Sequence, residues 1–406
     1  MDDLVHRPLS KKASGFAVNI AINDREESDK VLSDAGVIAI VAFIVSGDYE
    51  SAMGFRARAM AARLSENYDV EIVYRSRHKI ISIVKVFSFL VRVRPVASYV
   101  FDISYTGVVA SGLYKFMFGN CLVIETGDAI VELARSMGRG KVGLGLTKLL
   151  EKIAFLVADR IVVRGTFHQE LLSRQGIDAV LIQDGVDTDG FMPEDVSDLR
   201  KQYGLEGVMT VGLIGSSIWS EKLQMCYGWD LVEVIRLLKE KPLKGIMIGG
   251  GSGIAHLKAL CREYGIADKI VFLGQVPYGQ LNRYLQLIDI CLSTQTNDIV
   301  GKVRTTGKLP LYLAAGRYVL ASKVGEAALV LEKEMLVDYE GVKDQEYPRK
   351  LSERIEDILE HPEILSRAAR NVTLANKHFD YAVLAPRMKQ VIAGTIERGS
   401  GRKNSH

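Results

Sequence analysis

Short, β-branched apolar runs recur along this 406-residue chain, each followed by an amphipathic stretch of helical period. No other feature restricts the fold as much. Residues 36–45 (GVIAIVAFIV) read as a buried strand. A glycine-containing turn, SGDYESAMGF, leads into the helical FRARAMAARLSEN and then the strand DVEIVYR, which together make a βαβ unit. Further pairs follow: KIISIVKVFSFLVRV and SYVFDI, TGVVASGLYKFMF and NCLVIET, GLTKLLEKIAFLVAD and RIVVR, then RGTFHQELLSRQGI and AVLIQ. Strands alternating with helices imply a parallel, doubly wound sheet with helices on both faces.

Residues 187–207 interrupt the alternation and read as a linker. A second series starts at MTVGLIGSS and runs through GIMIGGG, KIVFLGQV, DICLSTQT and YVLAS, with helical segments between. The expected fold class is therefore α/β, with two Rossmann-like doubly wound parallel-sheet domains facing a cleft. The expected division is a flexible tail over 1–35 with one short strand at FAVNIAI, a first domain over 36–190 and a second over 191–380. A helix over 381–396 and a tail over 397–406 complete it. Ligands of such sheets sit at the carboxyl ends of the strands, so the inter-domain cleft is the default site.

Composition narrows the class. With 48% hydrophobic and 25% charged residues, the chain has material for large cores. It has no run of about 18 uncharged apolar residues, so no transmembrane helix is expected. The first 15 residues are polar, so no signal peptide is expected either. Cys121, Cys226, Cys261 and Cys291 are far apart and form no C-x-x-C pair, which predicts a reducing compartment and no structural zinc. The seven histidines include no close pair, and His168 and His256 read as surface helix residues.

The stretch KVRTTGKLPLYLAAGRYVLASKVGEA, residues 302–327, carries the clearest local chemistry. Lys302, Arg304 and Lys308 form a cationic cluster. Pro310 suits the first turn of a helix, and Gly316 ends it. A basic loop entering a helix N-terminus offers free N–H groups and a positive dipole to a phosphate. The same pattern also fits an ordinary loop–helix–strand unit with a solvated basic face. Gly249, Gly250 and Gly251 end a strand before a helix and could bind phosphate or sugar hydroxyls, or simply make a tight turn. Gly47, after the first strand, has the same two readings.

The second half resembles a known family. The stretch GGGSGIAHLKALCREYGIADKIVFLGQVPYGQLNRYLQLIDICLSTQ is similar to the donor-domain core of GT-B glycosyltransferases, in particular the large retaining family four, glycosyl transferases group 1. IQDGVDTDGFMP resembles that family's inter-domain signature, and KLPLYLAAGRYVLAS its "K-L-x-E-Y-L-A-A-G-R" segment. The resemblance implies a nucleotide-sugar donor in the second domain and the acceptor in the first. Lys222 falls where the family places a lysine on the donor diphosphate, with Gly215 and Ser216 in the loop before it; Ser216 replaces the family's arginine. Gln275 and Val276 fall where the family pairs the base with its backbone. Leu311 and Val303 replace the family's two glutamates, so either Thr305 or Thr306 meets the ribose or the ribose is held weakly. Gly127 occupies the position of a sugar-facing histidine, beside Asp128.

The reading is thus a transferase of polysaccharide biosynthesis. Asp128, Lys222 and Arg304 are the catalytic candidates, with Glu125 as the rival of Asp128. No metal and no cofactor beyond the nucleotide-sugar co-substrate is expected. Trp219 and Tyr227 read as core or pocket wall. The acceptor would be a glycan or lipid-linked molecule. Between residues 72 and 164 there are 14 Lys and Arg against 6 Asp and Glu, interleaved with apolar residues. That pattern suggests a cytoplasmic protein peripheral to an anionic membrane surface, and no aromatic–basic platform points to nucleic acid. The rival readings are a non-catalytic GT-B subunit and a nucleotide-sugar epimerase.

Overall fold

The computed structural model describes residues 5–6, 38–76 and 78–403. The short strand expected at FAVNIAI lies outside these residues. The first domain contains β1 (Val5–His6), β2 (Ile40–Val45), α1 (Ala52–Leu64), β3 (Asp69–Tyr74), α2 (Lys79–Val93), β4 (Ala97–Phe101) and α3 (Tyr105–Phe118). It continues with β5 (Cys121–Thr126), α4 (Ile130–Ser136), α5 (Lys141–Val157), β6 (Arg160–Val163), α6 (Thr166–Ser173) and β7 (Ala179–Leu181). The sheet order is β1-β3-β2-β4-β5-β6-β7, parallel except for β1, which pairs antiparallel with β3. The sequence predicts no strand at Val5–His6 within the tail over 1–35.

The second domain follows α7 (Ser197–Gln202). It holds β8 (Met209–Ile214), α8 (Trp229–Leu237), β9 (Leu243–Ile248), α9 (Ile254–Glu263), β10 (Ile270–Gly274), α10 (Leu281–Leu285) and β11 (Ile290–Ser293). Then come α11 (Ile299–Val303), α12 (Lys308–Ala314), β12 (Tyr318–Ser322), α13 (Ala327–Val330), β13 (Leu336–Val337), α14 (Tyr347–Glu360), α15 (Ala369–His378) and α16 (Tyr381–Lys403). Its six strands are all parallel, in the order β10-β9-β8-β11-β12-β13. In each sheet the strand order reverses beside the first strand of the βαβ series, β2 or β8. Both reversal points open a crevice at the carboxyl ends.

The burial pattern explains the strands. β4 and β5 are buried at every position, as sheets covered on both faces require. One face of the first sheet packs against α1 and α16, with Met60, Leu64, Leu384 and Met388 in the core. The other face packs against α2, α3 and α5 through Phe89, Leu90, Val108, Tyr114 and Leu150.

Two expectations change. The presumed linker is not loose: Phe191, Val196 and Leu205 are buried in the second domain's core, and the Asn282 side-chain amide donates to the Met192 carbonyl at 2.8 Å. The last helix does not stop at 396 but runs to Lys403, so residues 397–403 are helical rather than tail. Its Leu384, Met388 and Ile392 are fully buried against the first domain, so the helix crosses back from the second domain to the first. Leu384→Ala should therefore destabilise the first domain by about 2–5 kcal/mol in urea unfolding, although the residue lies at the far end of the sequence.

Candidate active site

The two crevices merge into one cavity of about 1090 Å³ between the domains. Asp48, Arg56, Arg164 and Asp184 line it from the first domain, and Gly215, Ser216, Gly249, Gly250, Gln275, Val276, Thr305, Lys308 and Leu311 from the second. Eight of the sequence-predicted ligand positions thus converge on one space.

The first-domain wall is a web of buried charge. Arg56 is 1% exposed and donates from Nε to Glu125 Oε1 at 3.0 Å, and to the carbonyls of Ile182 and Gln183 at 2.9 and 2.6 Å. Tyr99 donates its hydroxyl to Glu125 Oε2 at 2.6 Å. Glu125 is therefore fully committed inside the wall and is no rival general base. Arg164 reaches Asp102 at 2.9 Å and Asp184 at 3.3 Å, with Glu125 3.9 Å from its Nε. Burial pushes the Asp102 carboxyl up to about 6, against the pull of Arg164 and with help from Glu125, Asp128 and Asp184.

Gly127 explains how Arg164 fits. A Cβ at 127 would lie 1.9 to 2.2 Å from the Arg164 guanidinium. The arginine fills the space that a side chain there would need. Sequence reading found the glycine but not its occupant, because Arg164 follows β6, 37 positions away in the chain. His168 was also misread as a surface residue. It is 3% exposed, its Nδ1 has no hydrogen-bond partner, and burial pulls it down to about 4, so it is neutral at physiological pH.

Across the cleft, the domains are tied by polar contacts. Arg304 Nε donates to Asp128 Oδ1 at 2.8 Å, and Thr305 Oγ1 donates to Asp184 Oδ2 at 2.8 Å. The Thr166 amide donates to the Glu326 carboxylate. Phe55 stacks on Tyr278 with ring centroids 4.0 Å apart. Asp128 and Arg304 thus stand at the cleft as a bridging ion pair rather than as wall residues. Thr305 lines the cavity but gives its hydroxyl to Asp184, and Thr306 faces only a side pocket of about 10 Å³.

The members of the cationic cluster take different partners. Lys302 lies 5.9 Å from the Phe167 ring. Lys308 points into the cavity, its Nζ 3.5 Å from the Tyr227 ring centroid and 4.0 Å from where a Cβ on Gly215 would stand. Burial, with Arg304 adding to it, lowers the Lys308 ammonium to about 7. Lys222, by contrast, is exposed on the turn over 221–224 and does not line the cavity.

Close backbone approach accounts for several of the glycines. A Cβ on Gly249 would lie 2.1 Å from the Gly215 carbonyl oxygen, and one on Gly251 2.3 Å from that of Ser217. The Gly249 amide donates to the Gly274 carbonyl at 2.7 Å and the Gly215 amide to Ile248 at 3.0 Å. The Gly249 and Gly215 amides thus lock neighbouring strand ends together. Gly47 is needed for the turn into α1: a Cβ there would meet Ser51 Oγ at 2.2 Å, and Ser51 caps that helix. Trp219 is half-buried and stacks on His256 with centroids 3.9 Å apart. Val303 is fully buried and has no part in the cavity.

The family model "Glycosyl transferases group 1" matches residues 211–361. A 2-deoxystreptamine glucosyltransferase of Streptomyces kanamyceticus is 28% identical over 188 residues, 45% of this chain and 43% of that protein. The chain's match therefore spans less than half the length of that curated relative. Among solved structures, sucrose-phosphate synthase of Thermosynechococcus elongatus superposes with a TM-score of 0.72 at 14% identity, covering 89% of this chain and all of that one. HepE of Anabaena, solved with UDP and glucose, gives 0.67 at 15% identity, covering 88% of this chain and 100% of that one. The architecture is that of the GT-B glycosyltransferases, two parallel α/β domains facing a cleft.

Two tests follow from this geometry. Gly127→Ala should drive Arg164 off Asp102 and Asp184 and cost roughly 3–5 kcal/mol in chemical denaturation, as breaking a buried pair does. Combined with Arg164→Ala, the losses should fall well short of additive. Lys308 gives a pH signature. Its pKa is lowered on folding, so its contribution to stability falls as pH drops from 10.5 towards 7 and is level below that. A bound diphosphate would restore the charge, so nucleotide binding at pH 8 should take up a proton. Calorimetry in buffers of differing ionisation enthalpy reads this uptake, and Lys308→Met should abolish it.

Proposed function

We propose that this protein is a glycosyltransferase that moves a hexosyl or related sugar from a nucleotide-sugar donor to a glycan or lipid-linked acceptor. The observation that carries the reading is the inter-domain cavity with Lys308 set beside Gly215 on the donor side and Arg164 filling the space over Gly127 on the other. The family match over 211–361 and the UDP held by HepE support a nucleotide-sugar donor. In the proposed pose the base lies along Gln275 and Val276, and the diphosphate extends from the Gly215–Ser216 loop towards Lys308.

Breaking a glycosidic bond to a diphosphate leaves negative charge on the departing oxygen, and cations already in place stabilise it without reorganisation. Lys308 is suited to this because its environment withholds a charge that the phosphate restores. Arg304 stands next to it across from Asp128 and can exchange the carboxylate for a phosphate oxygen. We assign Arg164 the orienting of the sugar, in the space where the family has an imidazole. Lys222 would join only if its turn closes over the donor. The reaction is proposed to proceed with retention and without a metal. None of the four cysteines forms a disulfide and all are buried, which suits action in the cytoplasm.

Leu311 supports a second reading. It lines the cavity, is 9% exposed and cannot accept a hydrogen bond from a ribose hydroxyl. A chain that binds without turnover, as a non-catalytic subunit, would tolerate that loss. Titration with UDP, GDP, ADP and their hexosyl derivatives, followed by assay of sugar release and transfer, separates the readings. We expect one nucleotide series to bind and its sugar to be released. Lys308→Met should lower turnover about tenfold or more, the worth of one charge-assisted contact in the transition state. Binding without release or transfer favours the non-catalytic subunit, and conversion of the donor to an epimer favours an epimerase. Failure of every nucleotide to bind, with binding gained in Leu311→Glu, would overturn the catalytic proposal.

A further inference from the structure

Among the described residues, nothing covers much of the apolar surface of the first domain's outer helical layer. α2, α3 and α5 lie side by side on one face of the sheet. Their inner sides supply the core, but their outer sides are apolar too. Phe116 is 89% exposed, Leu156 80%, Val142 79%, Ile80 78% and Val84 61%. On α5 the exposed residues Val142, Leu146, Leu149, Ile153 and Leu156 recur at alternating spacings of four and three, which is one continuous stripe. The inward stripe, Thr147, Leu150 and Ala154, is a separate set. The helix is therefore apolar on two sides, and only one of them has a partner among the described residues.

Charge says what the other side meets. Lys85 and Arg92 on α2, and Lys141, Lys148 and Lys152 on α5, are exposed among these apolar residues. Glu151 is the one carboxylate in the three helices, and burial raises its pKa. A second copy packed symmetrically on this face would set these cations against their own images. An acidic bilayer has the complementary charge and also accepts the apolar side chains at the headgroup boundary. No helix among the described residues is long and apolar enough to cross a membrane, so the contact is with the surface.

We propose that the outer face of α2, α3 and α5 is a docking surface for an anionic lipid bilayer. The face runs up to the cleft. α4 begins two residues after Asp128, touches α11 of the second domain, and leads through the 72% exposed Met137 into α5. A protein lying on this face holds the edge of its cavity close to the bilayer. The proposal extends the glycosyl-transfer reading by assigning a lipid-linked acceptor, while the docking itself does not depend on that reading.

The test is co-sedimentation of the full chain with phosphatidylcholine vesicles containing graded phosphatidylglycerol, at low and high salt, beside nucleotide titration of the same preparation. Binding should rise steeply with anionic content and fall about tenfold or more at high salt, where surface charges are screened. Leu149→Glu with Leu156→Glu, and separately Lys148→Glu with Lys152→Glu, should each reduce vesicle binding about tenfold or more. Neither should alter nucleotide affinity, because both pairs lie outside the cavity wall. Circular dichroism establishes that the variants are folded. Equal, negligible binding of the wild type to neutral and anionic vesicles overturns the proposal. So does a stable dimer in solution that Leu149→Glu with Leu156→Glu dissociates. Vesicle binding without any nucleotide binding would leave the docking surface standing and remove the glycosyl-transfer reading instead.

Discussion

The site depends on keeping two arginines and several carboxylates inside the first domain at once. Arg56 and Glu125 have 1% and 0% of their side-chain surface exposed, and Arg164 has 7%. A buried charge is tolerated only when it is paired and its remaining hydrogen-bonding capacity is met. Glu125 meets this condition through Arg56 and Tyr99, and Asp184 through Arg164 and Thr305. The network therefore crosses from the first domain into the second. Removing Arg56 leaves Glu125 without its close cation, and removing Thr305 cuts the link to the second domain, which ties the shape of the cavity to the relation between the domains.

The geometry of the cavity follows from where the strands end. β2 and β8 each stand where the strand order reverses, and the loops after them face each other. Close backbone approach there requires glycine. At Gly249 the φ of +127° and the 2.1 Å approach of a Cβ to the Gly215 carbonyl both exclude a side chain. The glycines thus shape the site by bringing strand ends together, while charged side chains line its wall. Lys308 illustrates the division of labour. It opens a helix over a tyrosine ring, and burial holds its charge in reserve.

The sequence alone determined a good deal. Hydrophobic period identified the two strand series, because side chains that alternate or run continuously apolar have few ways to be buried. The three motifs pointed to the cleft, and Gln275, Val276, Gly215 and Lys308 do line it. Tertiary structure alone decided which candidates meet. Arg164 and Gly127 are far apart in sequence, and only the pairing of β5 with β6 brings them together. Lys302, Arg304 and Lys308 are close in sequence yet take different partners: Lys302 lies near the Phe167 ring, Arg304 pairs with Asp128 and Lys308 sits over Tyr227. His168 reads as a surface residue from its polar neighbours but faces inward at α6. Period likewise could not say which side of α5 is covered, because both sides are apolar. Only the packing of the layer leaves Val142, Leu149 and Leu156 in the open. Period reports which residues share a face, whereas contact depends on what the rest of the chain places against it.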